Sequence, residues 1–87
     1  MIKPTIGRVV WFHEKFEPDT VEQTNAAIVC YVHGDRCVNL VVFDVNGGSS
    51  GKTSVPLRQE GDVAPAGAFC EWMPYQIGQA KAQEASA

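Results

Sequence analysis

The stretch over residues 26–45, AAIVCYVHGDRCVNLVVFDV, limits what this chain can fold into more than any other part of it. Its two apolar runs are rich in the β-branched and aromatic residues that suit a pleated, half-buried surface. They flank a Gly-Asp pair able to supply the positive φ of a tight turn. This pattern predicts a β-hairpin. With Gly34 and Asp35 as a two-residue loop, His33 faces Arg36, Tyr31 faces Val38 and Val29 faces Leu40. One face then carries Ala27, Val29, Tyr31, Val38, Leu40 and Val42, and the other carries Ile28, Cys30, Val32, Cys37, Asn39, Val41 and Phe43. A small antiparallel ribbon usually packs one side and wets the other. Here both sides are apolar apart from Asn39, so something must cover the second face.

The size of the chain sharpens that demand. Its 87 residues make one domain, near the lower limit of what folds alone and in the range where association often adds support. The sequence holds no apolar run near the roughly 18 residues that span a bilayer and no basic-then-apolar leader, so a soluble, non-secreted protein is expected, with no membrane partner. Ten acidic and seven basic side chains give a net charge of -3. The basic residues Lys3, Arg8, Lys15, Arg36, Lys52, Arg58 and Lys81 are spread out, whereas phosphate-backbone binding needs them concentrated. Nucleic acid is therefore a weak candidate partner. The cysteines Cys30, Cys37 and Cys70 have no CxxC spacing and read as reduced, packed thiols. A turn at His33-Gly34 would instead set Cys30 across from Cys37 at bridging distance, and the sequence leaves that register open.

Along the chain, residues 1–6 read as an extended arm and residues 7–13, GRVVWFH, as the first strand. Residues 14–25, EKFEPDTVEQTN, have turn chemistry and form a long loop in which Asp19 can cap a short helical turn over residues 20–23. After the hairpin come a flexible turn over residues 46–51, a strand over residues 52–57 that Pro56 marks as an edge or an end, and a loop over residues 58–67. A fifth strand covers residues 68–73. The domain spans residues 1–75, and residues 76–87 form a polar tail, disordered or partly helical. Five short strands in meander order predict an all-β, five-stranded antiparallel barrel, partly open, because closure removes exposed edges.

Two resemblances follow from these segments. The Gly-Arg-Val-Val opening strand, the polar loop, the Ala-Ala-Ile-Val strand and the tight third-strand hairpin resemble SH3-like small barrels, including Tudor-like and KOW-like modules, over residues 7–73. The wider pattern, KPTIGRVVWF, AAIVCYVHGDRCVNLVVFD, a Thr-Ser-Val strand and a closing CEWMPYQ, is similar to short uncharacterised proteins of tailed bacteriophages and prophages. That likeness implies a phage setting, in the bacterial cytoplasm or the virion, and brings no activity with it.

Chemistry-bearing patterns are sparse. In NGGSSGKT, residues 46–53, the Gly51, Lys52 and Thr53 positions match a phosphate-binding loop, but Asn46 replaces its first glycine. The following Ser-Val-Pro-Leu also reads as strand, where the motif requires a helix N-terminus. Cys30 and His33 lie an odd number of residues apart on one strand and so point to opposite faces, which argues against a zinc site with Cys37. Cys70 has no neighbouring base to activate it, and Glu71 reads as an exposed edge carboxylate. No catalytic set, cofactor site or small-molecule substrate is expected. The aromatics are better candidates. Trp11, Phe16, Tyr31, Trp72 and Tyr75 are many large groups for so small a barrel, and they suit a peptide-binding groove. The plain alternative for Trp11 and Trp72 is core filling, and Tyr75 is expected at the surface.

The expectation is a non-catalytic assembly or interaction protein of phage type. It self-associates or docks on another protein through Ile28, Cys30, Val32, Val41 and Phe43, on the second face of the hairpin, with the opposite face as the alternative contact. The alternative is a KOW-like or Tudor-like module binding nucleic acid or a host regulatory protein.

Overall fold

The computed structural model describes residues 1–14, 24–63, 65 and 67–86, with the side chains of 81 and 83–86 left aside. Phe16 and the helical turn expected over residues 20–23 fall outside the described residues. Five strands, β1 (Val9–His13), β2 (Asn25–Gly34), β3 (Cys37–Phe43), β4 (Ser49–Arg58) and β5 (Phe69–Glu71), form a closed barrel in that order, followed by helix α1 (Pro74–Ser86). This is the small five-stranded all-β barrel that the sequence predicts. β1 returns to pair antiparallel with β5, through Trp11 with Glu71, Phe12 with Cys70 and His13 with Phe69. One contact departs from the expected antiparallel sheet. The barrel closes where β4 meets β5 in parallel, through Leu57 with Cys70 and Arg58 with Glu71.

Period-two alternation decides what fills the barrel. Val10 and Phe12 of β1, Ala27 and Val29 of β2, and Val38, Leu40 and Val42 of β3 all point inward and are buried. Val55, Leu57, Cys70 and Trp72 complete the core. Each fully buried side chain of this size contributes about 1.5–3 kcal/mol.

The hairpin register agrees with the sequence pattern near the strand ends and departs from it towards the turn. Ala27 pairs with Val42, Ile28 with Val41 and Val29 with Leu40, but Tyr31 then faces Asn39, Val32 faces Val38 and Gly34 faces Cys37. The turn is Asp35-Arg36, one residue beyond the expected Gly34-Asp35, and two bulges in β2 absorb the shift. Neither turn read from the sequence is the one adopted, and all three cysteines are free. β4 bulges at the same level of β3, and there Ser54 takes a positive φ of 53°. Asn39 sits between the two irregularities, its Oδ1 accepting the Ser54 N–H at 2.8 Å and lying 2.9 Å from His33 Nε2. Bulges add local twist, which a five-stranded sheet needs to curl shut.

The tail is more ordered than its polar composition suggests. Pro74 opens α1, and Gln76 Oε1 reaches back to accept the Met73 N–H at 2.8 Å, half of a capping box. The Gln76 amide nitrogen donates to the Val9 carbonyl at 2.8 Å, and Ile77 packs on the core, so the helix is anchored to β1 from its first turn.

Candidate functional site

The outer side of β1, β2 and β3 carries a continuous apolar surface. Val9, Ile28 and Val41 form one cross-strand row, which ends at Gly51 of β4, where no side chain rises. Trp11 pairs with Ala26 in the next row, and Ala26 and Phe43 border one small surface hollow. No charged side chain stands in the Val9 row, while the Trp11 row reaches Glu71 of β5 at its other end. Val9 is 40% exposed, Ala26 is exposed, and Ile28, Trp11, Val41 and Phe43 are half-buried. The barrel interior is already full, so these groups lie outside it and are covered only in part.

Of the hairpin residues expected at the contact, Ile28, Val41 and Phe43 lie on this surface, and Cys30 is exposed on the same side at the bulge. Val32 does not. The extra residue at the bulge reverses the alternation after Val29, so Val32 turns inward to pack against the core while Tyr31, expected inside, stands 54% exposed. The aromatics expected to share a groove are dispersed. Trp72 is buried in the core, with its indole N–H donating to Gln59 Oε1 at 3.1 Å and Arg8 lying 5.8 Å from its ring centroid. Trp11 belongs to the outer face, Tyr31 stacks edge-on against His33 at 4.9 Å, and Tyr75 stands 72% exposed on α1 with its hydroxyl accepting from Gln79. Phe16 lies outside the described residues.

The rim of the apolar face is ionic. Glu71 Oε2 lies 3.5 Å from His13 Nε2 and 3.5 Å from an Arg58 guanidinium nitrogen, across the β1–β5 seam. The His13–Glu71 contact carries a full charge pair only when the imidazole is protonated. At the hairpin turn, Asp62 receives Arg36 through two hydrogen bonds of 2.9 and 3.3 Å. The Arg36 bond, with the Gln59 backbone N–H behind it, holds the Asp62 carboxyl below the usual carboxylate range. Two of the chain's cations, Arg36 and Arg58, are thus already engaged, which further disperses any positive field.

The residue that pattern reading missed is Gln59. It is 3% exposed, and its side-chain amide uses every donor and acceptor it has. Its Oε1 accepts from Trp72 Nε1 and the Ile2 N–H, and its Nε2 donates to the carbonyls of Ile2 at 2.8 Å and Asp35 at 2.9 Å. One side chain ties the N-terminal arm, the hairpin turn and the exit of β5 into one closed end. Its only signal in the sequence is an amide inside the polar run RQEGDVAPAG.

The residues that mimic a phosphate-binding loop form a turn and a strand. Asp44 Oδ1 accepts the N–H groups of Asn46 and Gly48 at 2.8 Å each, Gly47 takes φ 83°, and Gly51, Lys52 and Thr53 lie within β4. Gly48 is required here, since an added Cβ would sit 2.7 Å from the Asp44 carboxylate. Among the described residues no group of three or more His, Cys, Asp or Glu gathers to hold a metal, and no helix is long and apolar enough to cross a membrane. Burial pushes the Cys70 thiol up to about 12, which leaves it a packed core group. Comparison with known proteins finds no matching family model, no matching curated protein and no matching solved structure.

Proposed function

We propose that this chain is a non-catalytic assembly or interaction protein that associates with copies of itself through the outer face of β1, β2 and β3. The observation that carries the reading is the uncharged row Val9, Ile28, Val41 lying outside a barrel whose interior is already filled. Symmetric association is the simplest cover, because one apolar patch then shields its own equivalent. A phage setting, with the bacterial cytoplasm or the virion as its place, rests on the sequence resemblance alone. A nucleic-acid role draws less support, since Arg36 and Arg58 are paired with acids and the net charge is -3.

The test is the mass of the purified protein in solution. The wild-type chain is expected as a multiple of its 9.5 kDa protomer, and Val41→Glu as the folded protomer alone. Val41 lies outside the barrel core, so the charge should cost the fold less than about 1 kcal/mol. A wild-type protein that stays at the protomer mass at high concentration would refute the proposal.

A further inference from the structure

A second surface lies along the free side of β4, where the Val9, Ile28, Val41 row ends at Gly51. Asp44 N–H donates to the Gly48 carbonyl at 2.8 Å, which marks a hydrogen-bonded position in the β3–β4 ladder. In an antiparallel ladder such positions alternate, so Ser50 opposite Val42 and Lys52 opposite Leu40 exchange bonds with β3. Ser49 and Gly51 then direct their N–H and C=O groups to the other side. There β5 reaches only Leu57 and Arg58, so among the described residues the first half of β4 has a strand on one side alone. Alongside it runs a groove of about 390 Å³, walled by residues 51–56 and facing Phe12 and Ala68. Its apolar floor is Phe12 and Val55, each no more than 5% exposed.

We propose that this open lip takes an acidic, extended segment of a partner protein as an added strand. An unpaired strand edge is a template for main-chain hydrogen bonding, and a floor of this kind gives alternate side chains of the incoming strand somewhere to rest. Charge selects the occupant. Lys52 lines the groove, and among the described residues it makes no ion pair, not even with Glu14 and Asp44 in the adjoining hollow. A second copy of the lip, added antiparallel about Gly51, brings Lys52 towards its own equivalent and is disfavoured. An acidic strand supplies the missing countercharge.

Two capped peptides, alternating valine with glutamate and valine with lysine, test this in an amide-detected titration of the full chain. The glutamate peptide is expected to shift the Ser49 and Gly51 amides and to slow exchange at Gly51 by about tenfold or more. Lys52→Glu should exchange the preference between the peptides. Gly51→Pro, which removes an N–H that β3 does not use, should abolish binding while the near-ultraviolet dichroism stays that of the folded barrel. Ile28→Glu, two strands away from Gly51, should leave the titration unchanged, which separates this surface from the self-association face. Equal binding of both peptides, binding of neither, shifts centred on Val9 and Ile28, or protection of Gly51 that grows with protein concentration alone would each overturn the proposal.

Discussion

The two faces of the central hairpin are almost equally apolar, and the fold treats them in opposite ways. Ala27, Val29, Val38, Leu40 and Val42 sit inside the barrel at 5% exposure or less, while Ile28, Cys30, Val41 and Phe43 remain on the outside. Hydrophobicity marks both sets alike; closure of the sheet separates them. Once β5 returns to β1 and meets β4, only one side of each strand can face the interior, and the leftover apolar side becomes surface. A greasy outer face on a complete barrel therefore signals contact with another molecule more directly than a greasy strand does.

The sharpest way to break the comparison is to remove bulk from each face in turn. Leu40→Ala on the inner face should cost about 2–5 kcal/mol and lower the urea midpoint steeply. Ile28→Ala on the outer face should cost the protomer far less and act mainly on assembly. If the two losses are equal in the dissociated protomer, the distinction between core and contact face is wrong.

How much of this was readable beforehand depends on which residues are asked. Ala27, Val29, Leu40 and Val42 could be grouped on one face from alternation alone, because no irregularity lies between them and their partners, but alternation does not say which face turns inward. Tyr31 and Val32 could not. Nothing in the hydrophobic pattern marks an inserted residue, and one insertion exchanges the faces of everything beyond it. The fifth strand shows the same limit. Alternation over residues 68–73 puts Cys70 and Trp72 on one side, and both are buried, yet Phe69 on the other side is buried as well, its ring 4.9 Å from that of His13. Gln59 was invisible for a different reason. A buried amide is recognised by its partners, and Ile2, Asp35 and Trp72 lie far from it in sequence.

Gln59 provides the next prediction in order of size. Gln59→Leu keeps the bulk but strands the Trp72 indole N–H and the Asp35 carbonyl, so the protein should lose about 1–3 kcal/mol, read as a lower melting temperature with altered tryptophan emission. An unchanged melting temperature would mean that the closed end is held by packing alone.

The thiols sharpen the contrast between inside and outside at smaller cost. Cys30 is exposed and Cys70 is buried, so an alkylating reagent at mildly alkaline pH should modify Cys30 readily and leave Cys70 intact, as peptide mass mapping will show. The raised Cys70 pKa also sets a direction for stability. Its folded value of about 12 stands above the ordinary thiol value of 9.0, so the contribution is whole below pH 9 and fades as pH climbs from there through the folded value. Cys70→Ala should flatten that alkaline decline while lowering stability at neutral pH.

The central claim is that the outer row of Val9, Ile28 and Val41 is covered by another copy of the chain. Light scattering across a wide concentration range addresses it most directly. The account predicts a mass that falls towards the 9.5 kDa protomer only on dilution, and a Val41→Glu variant already there at every concentration. A wild-type chain that is a stable protomer at every concentration would contradict it.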